Sequence, residues 1–278
     1  MIVDGIDDAA WRTLDAGRAD SAGAVDPVAC ATAEEVPVAF SYGGVAYAVM
    51  MATPADLEDF AVGFSVTEGI AATAADIGAI GIRESGDGFE LDVTLRPDAF
   101  RAFLGRRRVR NLRGHTSCGL CGVEDLAGVA QQRAAAETGI AAATTVTLAA
   151  IRAALGDLRA FQPLSRETHA AHAAAWATPG GEIVLVREDV GRHCALDKLI
   201  GAGLRAGIDP GAGFCVVTSR CSFEMVQKAV VARIPILVAV SAPTTLAVRS
   251  AEAAGLTLIA RAGAERQYIY AGAARIRG

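Results

Sequence analysis

"GFCVVTSRCSFEMVQKAVVARIPILVAVSAPTTLAVRSAEAAGLTLIAR", residues 213–261, alternates short apolar runs with longer amphipathic ones. Strands are expected over 213–218, 235–240 and 256–261, and helices over 222–233 and 244–254, the last capped by Thr244 or Thr245. With a further helix over 193–206 this is the alternation of an α/β layer. The turn after its first strand holds Ser219, Arg220 and Ser222, where open α/β sheets usually take ligands. Cys221, in the same turn, reads as a small packing residue.

Upstream, "AAHAAAWATPGGEIVLVRED" (170–189) puts a strand on each side of Pro179-Gly180-Gly181. Earlier still, "VPVAFSYGGVAYAVMMA" (36–52) reads as a hairpin turning at Tyr42-Gly43-Gly44. Thr53 then caps a helix with Pro54 at its first position, running to about Gly69. A second strand pair, 77–84 and 88–96, turns at "SGDG". Residues 98–112 begin helical and become basic and irregular; helices follow over Val123–Glu137 and over 148–161, the latter capped by Thr145 or Thr147. Residues 1–33 lack clear periodicity and read as a loosely held arm with a short edge strand. The division is therefore an N-terminal α+β subdomain of hairpins and helix over 1–145, and an α/β domain over 146–278.

The 278 residues are enough for a full hydrophobic core. With 52% hydrophobic and 21% charged residues, the balance is that of a globular protein once the many alanines are discounted. No run approaches the roughly 20 apolar residues of a membrane span, and "MIVDGIDDAAW" carries acid where a signal peptide carries base. The expected location is the cytoplasm, with no membrane partner. A net charge of −5 argues against a broad nucleic-acid surface. Six irregularly spaced cysteines in a reducing compartment are expected to be free thiols.

"RGHTSCGLCGVEDL" (113–126) sets Cys118 and Cys121 three apart, after the basic run "RRRVRNLRG" (106–114). Positive charge and a helix start near Val123 both favour thiolate. His115 is close enough to relay a proton, and Gly119 and Gly122 leave room beside each sulfur. Two other readings stand beside a sulfur-handling nucleophile. One is half of a zinc site, for which Cys194, Cys215 and Cys221 are not paired at ligand spacing and His169/His172 would need a long-range fit; the other is a thioredoxin-like redox pair, which would follow a strand rather than a basic loop.

"REDVGRHCALDKL" (187–199) gathers Arg187, Glu188, Asp189, Arg192, His193, Asp197 and Lys198 at a loop-to-helix junction. Such a loop either binds phosphate or pterin groups through Arg and backbone N–H, or is charge-paired and only caps the helix. His172 is either a buried, hydrogen-bonded residue at a strand start or part of the pocket lining. Trp11, Trp176, the phenylalanines, Cys30, Cys194 and Cys215 read as packing.

The blocks "EEVPVAFSYGG", "MMATPADLEDFAVGFSVTEGI", "TSCGLCGVE", "FQPLSRETHAAHAAAW", "REDVGRHCALDKLIG", "SRCSFEMVQKA", "VAVSAPTTLAV" and "GLTLIAR", in this order, resemble the formate dehydrogenase accessory sulfurtransferase family (FdhD). The resemblance implies a cytidine-deaminase-like α/β fold in the larger part. It also implies a sulfurtransferase that takes persulfide sulfur from a cysteine desulfurase. The sulfur passes to the molybdenum or tungsten bis-molybdopterin guanine dinucleotide cofactor before insertion into apo-formate dehydrogenase. Cys118 would hold the persulfide, with Cys121 assisting. Arg261, Ala262, Gly263, Ala264, Glu265 and Arg266 match the segment expected to hold the guanine dinucleotide, although Ala260-Arg261 stand where the family generally has Gly-Phe. Arg192, His193, Ser219 and Arg220 would face the cofactor as well. Zinc deaminases carry H-x-E and a later P-C-x-x-C; here His172 is followed by Ala173-Ala174 and no such motif follows, so neither deamination nor a tightly bound structural metal is expected. A large anionic cofactor needs a broad groove, for which a homodimer is expected. The rival is a non-catalytic chaperone that binds the molybdenum cofactor and escorts it to the apoenzyme.

Overall fold

A computed structural model of the chain describes residues 10–107, 140 and 144–278. The Cys118/Cys121 motif, most of the basic run before it and the helix expected over Val123–Glu137 lie outside the described residues.

The N-terminal arm is, from Trp11, a regular antiparallel hairpin of β1 (Trp11–Ala19) and β2 (Val25–Ala33). Its turn is set by Asp20, whose carboxylate accepts the N–H groups of Ala22 and Ala24, and by Gly23 at φ +89°. Small residues blur the alternation in both strands, so the pairing is a product of the turn and register. Both faces of the hairpin are largely exposed, and Cys30 therefore meets solvent opposite Leu14 rather than packing.

β3 (Val36–Tyr42) and β4 (Val45–Ala52) form the expected hairpin, with Gly43 and Gly44 both at positive φ. After α1 (Leu57–Thr67), β5 (Ile77–Ser85) and β6 (Gly88–Leu95) complete a four-stranded sheet in the order β4-β3-β6-β5. α2 (Pro97–Arg107) follows. Phe40, Tyr42, Phe60, Phe64, Leu91 and Phe103 make the core between this sheet and α1. The start of α1 differs from the sequence expectation. Asp56 occupies its N-cap in the left-handed region at φ 54° without a capping bond, while Thr53 is fully buried and bonded far along the chain. The Thr53 hydroxyl accepts from Val190 N–H, its own N–H donates to Asp189, and its carbonyl accepts from Lys198 Nζ.

The second sheet is built from the α/β run. Ahead of it come the two-residue strand β7 (Val146–Thr147), α3 (Leu148–Asp157), capped by Thr147 through Ala150 N–H, and the short α4 (Pro163–Thr168). Then β8 (His172–Ala177) and β9 (Ile183–Asp189) pair antiparallel. α5 (Arg192–Arg205), β10 (Phe214–Val217), α6 (Phe223–Val231), β11 (Ile236–Ala239), α7 (Thr245–Ala254) and β12 (Thr257–Ala260) follow the predicted alternation to within about two residues at each end. β13 (Tyr268–Ala271) adds an antiparallel edge, giving the order β13-β12-β11-β10-β8-β9, and β14 (Ile276–Arg277) returns to pair with β7. The α/β class read from the sequence is the fold observed.

Alternate residues of these strands feed two cores. Trp176, Leu185, Cys215, Val217, Leu237 and Leu258 pack under α5, α6 and α7, whereas Ala175, Val186, Phe214, Val216, Val238 and Ile259 pack under α3. α5 lies between the second sheet and α1. At their crossing a methyl added to Gly63 would stand 1.7 Å from the Asp197 carbonyl oxygen, and one on Gly201 1.9 Å from that of Asp59. Only glycine allows the two backbones this approach. No helix among the described residues is long and apolar enough to cross a membrane.

Candidate functional site

β10, β11 and β12 are mutually parallel, and β9 runs with them because both it and β10 oppose β8. Their carboxyl ends therefore share one edge, together with the amino ends of β8 and β13 and the starts of α5, α6 and α7. Helix starts present unpaired N–H groups and a partial positive charge, so this edge is suited to anions.

The loops of the edge are laced together by backbone bonds. Ser241 N–H donates to Ser219 O, Arg261 N–H to Ser241 O, and Cys221 and Ala242–Thr244 exchange two bonds. This brings Ser219, Arg220 and the 261–266 loop, distant in sequence, to one side of the sheet. Arg220, Arg261 and Arg266 are exposed. Arg261 adopts φ 49°, an unusual conformation for a residue with a Cβ, and its guanidinium lies 5.1 Å from the centre of the Tyr268 ring. Ala260 pairs with Tyr268 across β12 and β13. An exposed aromatic thus stands beside Arg261, supplied from the next strand. Ala262 is buried and its N–H donates to Ala239 O; Gly263 N–H donates to Arg266 O and closes the loop, with Ala264 and Glu265 exposed at its tip.

The charged loop divides between its two readings. Asp189 is paired with Lys198 at 2.6 Å, both fully buried, and Asp197 with Lys228 at 2.9 Å. Arg187 reaches Asp59 at 2.8 Å and Asp56 at 3.3 Å; Glu188 accepts the Leu164 and Ser165 N–H groups at the start of α4. These residues are structural. Arg192 and His193, in the first turn of α5, are different. His193 is 6% exposed, yet neither ring nitrogen has a hydrogen-bond partner, and the same is true of buried Arg192 Nε and Ser222 Oγ. Among the described residues these are the only buried side-chain N or O atoms so placed, and all lie at the starts of α5 and α6. Buried polar groups without partners are costly and call for a functional account.

Burial lowers the pKa of His193 to about 3, helped by Lys228, Arg192 and His172. Burial likewise lowers that of half-buried His172, with Arg192 and Arg220 adding to the effect. Both rings are therefore neutral at neutral pH, in a positively charged setting. His172 is the first residue of β8, on the same sheet edge, and the two residues after it are buried alanines rather than an acid.

The other thiols are poor nucleophiles. Burial raises the pKa of Cys194, Cys215 and Cys221, the last to about 12. A thiolate at any of them is disfavoured, which leaves Cys30 as the exposed thiol among the described residues. Sequence reasoning placed Ser222 in the ligand-taking turn but did not count it among the residues facing the cofactor. Its place after a strand and before a helix was visible, but its unpartnered hydroxyl depends on the packing of α6 against α5. It also passed over Tyr268, whose approach to Arg261 follows from the β12–β13 register.

The FdhD/NarQ family model matches residues 33–277. A "Sulfur carrier protein FdhD" from Xanthomonas euvesicatoria pv. vesicatoria is 51% identical over 227 residues, 82% of this chain and 79% of that protein. One of the same name from Agrobacterium fabrum is 47% identical over 247 residues, 88% of this chain and 89% of that one. A crystal structure of a formate dehydrogenase accessory protein from Desulfotalea psychrophila superimposes with a TM-score of 0.76 at 22% identity, over 96% of this chain and 99% of that one.

Proposed function

The chain belongs to the FdhD/NarQ family, and on that premise we propose that it is a sulfurtransferase acting in formate dehydrogenase maturation. The names of its relatives support the sulfur-carrying role. In the reading advanced here, the Cys118 thiolate attacks the terminal sulfur of a persulfide on a cysteine desulfurase. A new S–S bond forms at Cys118, the old one breaks, and the desulfurase cysteine leaves as thiolate. Cys121 assists at the carrier thiol, and the basic residues before Cys118 stabilise the thiolate and attract the partner. The substrate that receives the sulfur is the molybdenum or tungsten bis-molybdopterin guanine dinucleotide, destined for apo-formate dehydrogenase. The protein works in the cytoplasm as a homodimer.

The observation that carries the cofactor side is the strand-end face. It combines helix starts, Arg192, Arg220, Arg261 and Arg266, the unpartnered polar atoms of Arg192 and His193, and the exposed Tyr268 ring. These groups suit an anionic molecule carrying phosphates and a flat base. The raised pKa values of the buried thiols support assigning the sulfur chemistry elsewhere, to the Cys118/Cys121 motif.

The test is rescue of formate dehydrogenase activity in cells lacking their own sulfur carrier. The native chain should restore activity and Cys118→Ala should not, with molybdenum content of the recovered enzyme unchanged. Full rescue by Cys118→Ala would contradict sulfur transfer and favour the cofactor-escort role.

A further inference from the structure

The β1–β2 hairpin stands apart from both sheets. Among the described residues β1 has β2 on one side and no strand on the other, and every residue of β1 after Trp11 is exposed. β2 leans on the body through α4. A two-stranded hairpin wet on both faces is marginal in water, and further strands are what make such a unit stable. The phase of its ladder says which edge is open. Asp20 N–H donates to Ala24 O at the turn, and Glu34 N–H to Ala10 O at the other end. In the register running from Trp11↔Ala33 to Ala19↔Val25, these two bonds fix the even-numbered residues of β1 as the ones bonded to β2. The N–H and C=O groups of Thr13, Asp15 and Gly17 therefore point away from β2, and none of these N–H groups meets an acceptor among the described residues. On β2 the outward positions include Pro27, opposite Gly17, which has no N–H to offer. The outer edge of β2 is thus blunted, whereas that of β1 is complete.

Charge decides what can add to the open edge. β1 carries both signs, Arg12, Asp15 and Arg18, with Asp20 next in the turn. Two copies of β1 laid antiparallel across a two-fold axis must match outward groups with outward groups, so odd residues face odd ones and even residues face even ones. With Asp15 on the axis, Arg12 of one copy would meet Arg18 of the other, and like charges directly opposite are destabilising. With Ala16 on the axis the charges agree. Arg12 then faces Asp20 on both sides of the axis, Thr13 faces Ala19, Leu14 faces Arg18 and Asp15 faces Gly17. Asp20 holds the Ala22 and Ala24 N–H groups through one carboxylate oxygen, Oδ1, so Oδ2 is left for the guanidinium.

We propose that the free edge of β1 pairs antiparallel with β1 of a second copy of this chain, Ala16 on the axis, joining two hairpins into one four-stranded sheet. This rests on the homodimeric reading and gives the dimer its surface, one made by the hairpin. The self-complementary charges set the register, and the complete row of N–H and C=O groups supplies the bonds.

The experiment is analytical ultracentrifugation of the full chain under reducing conditions, over a range of concentrations. The native chain is compared with Thr13→Pro, Ala29→Pro and Ala16→Lys. Thr13→Pro removes an outward N–H of β1, twice in a symmetric pair, and keeps the bonds between β1 and β2, as Pro27 does on the other strand. Ala29→Pro makes the same change on the outer edge of β2 and serves as the matched control. The native chain should be a dimer. Thr13→Pro should raise the dissociation constant of that dimer by about tenfold or more, and Ala29→Pro should leave it within about twofold. Ala16 is exposed, so Ala16→Lys costs the single chain little but brings two ammonium groups together at the axis. It should weaken the dimer at low salt and recover most of the loss at about 1 M salt. Ala16→Lys leaves the backbone alone and decides the matter if Thr13→Pro disturbs the hairpin. A native dimer unmoved by Thr13→Pro and Ala16→Lys, or weakened as much by Ala29→Pro, would overturn this interface and leave the homodimeric reading to another surface. A native chain that is monomeric at every concentration would refute both.

Discussion

Helix α5 leaves polar atoms of Arg192 and His193 unpartnered in its first turn, whereas Asp197 and Lys198, one turn on, are each tied to an opposite charge at under 3 Å. His193, Asp197, Lys198 and the Arg192 Nε atom are all buried, and all are charged or polar. They differ in what faces them. The later turns meet α1, where Gly63 and Gly201 let the backbones close up and where Thr67 and Glu68 complete the pairing of Lys228. The first turn meets the open edge of the second sheet. Pairing locks the two sheets around α5, while its absence at the edge keeps donors available at a cost in stability, the pattern expected of a binding site.

The contrast can be broken most forcefully at Lys228. Lys228→Met removes one half of a buried pair and strands Asp197, so chemical denaturation should show a loss of about 3–5 kcal/mol. A loss near zero would mean that the pairing contributes nothing to holding α6 against α5. Next comes Gly63→Ala, which forces a methyl against the Asp197 carbonyl. It should cost about 3 kcal/mol in the same measurement, at the upper end for overpacking because backbone cannot step aside as a side chain can.

A smaller effect separates the two stretches by pH. His193 titrates at about 3 in the folded chain against an ordinary value of 6.5. Between those values the unfolded chain binds a proton that the folded chain does not, so stability falls as pH drops through that window and is constant above it. His172, shifted the same way, adds to the slope. His193→Gln should reduce the slope of stability against pH by about one proton, roughly 1.4 kcal/mol per pH unit. An unchanged slope would show that the ring is protonated in the fold. The smallest change is expected at Ser222→Ala, within about 0.5 kcal/mol of the native chain, because the hydroxyl it removes has no partner to lose. A loss above 1 kcal/mol would reveal a structural bond and remove Ser222 from the site.

Much of this architecture was legible in local patterns. Gly43-Gly44 and Pro179-Gly180-Gly181 marked hairpins, Thr147 and Thr244 marked helix starts, and the strand-helix alternation after Arg192 gave the second sheet. What escaped depended on partners far along the chain. Thr53 looked like a cap for α1, but Asp189, Val190 and Lys198 claim all of its bonding groups. Arg187 and Asp59 are 128 positions apart, so the local crowding of charges in 187–199 could not say which residues were committed to the fold. The β1–β2 hairpin was missed because its strands are built largely of small residues with both faces wet. For the site, strand-end position picked out Ser219, Arg220 and Ser222, and the charged loop-to-helix junction Arg192 and His193, while the unpartnered hydroxyl of Ser222 and the place of Tyr268 required knowing how α5 meets α6 and how β12 pairs with β13.

The account turns on where sulfur is carried, and intact-mass measurement reads this directly. The chain is incubated with a cysteine desulfurase and cysteine, and compared with Cys118→Ala, Cys121→Ala and Cys30→Ala. A single added sulfur, about 32 Da, is expected on the native chain and on Cys30→Ala and should be absent from Cys118→Ala. An adduct that survives Cys118→Ala, or none on the native chain beside an active desulfurase, would contradict the persulfide role of Cys118.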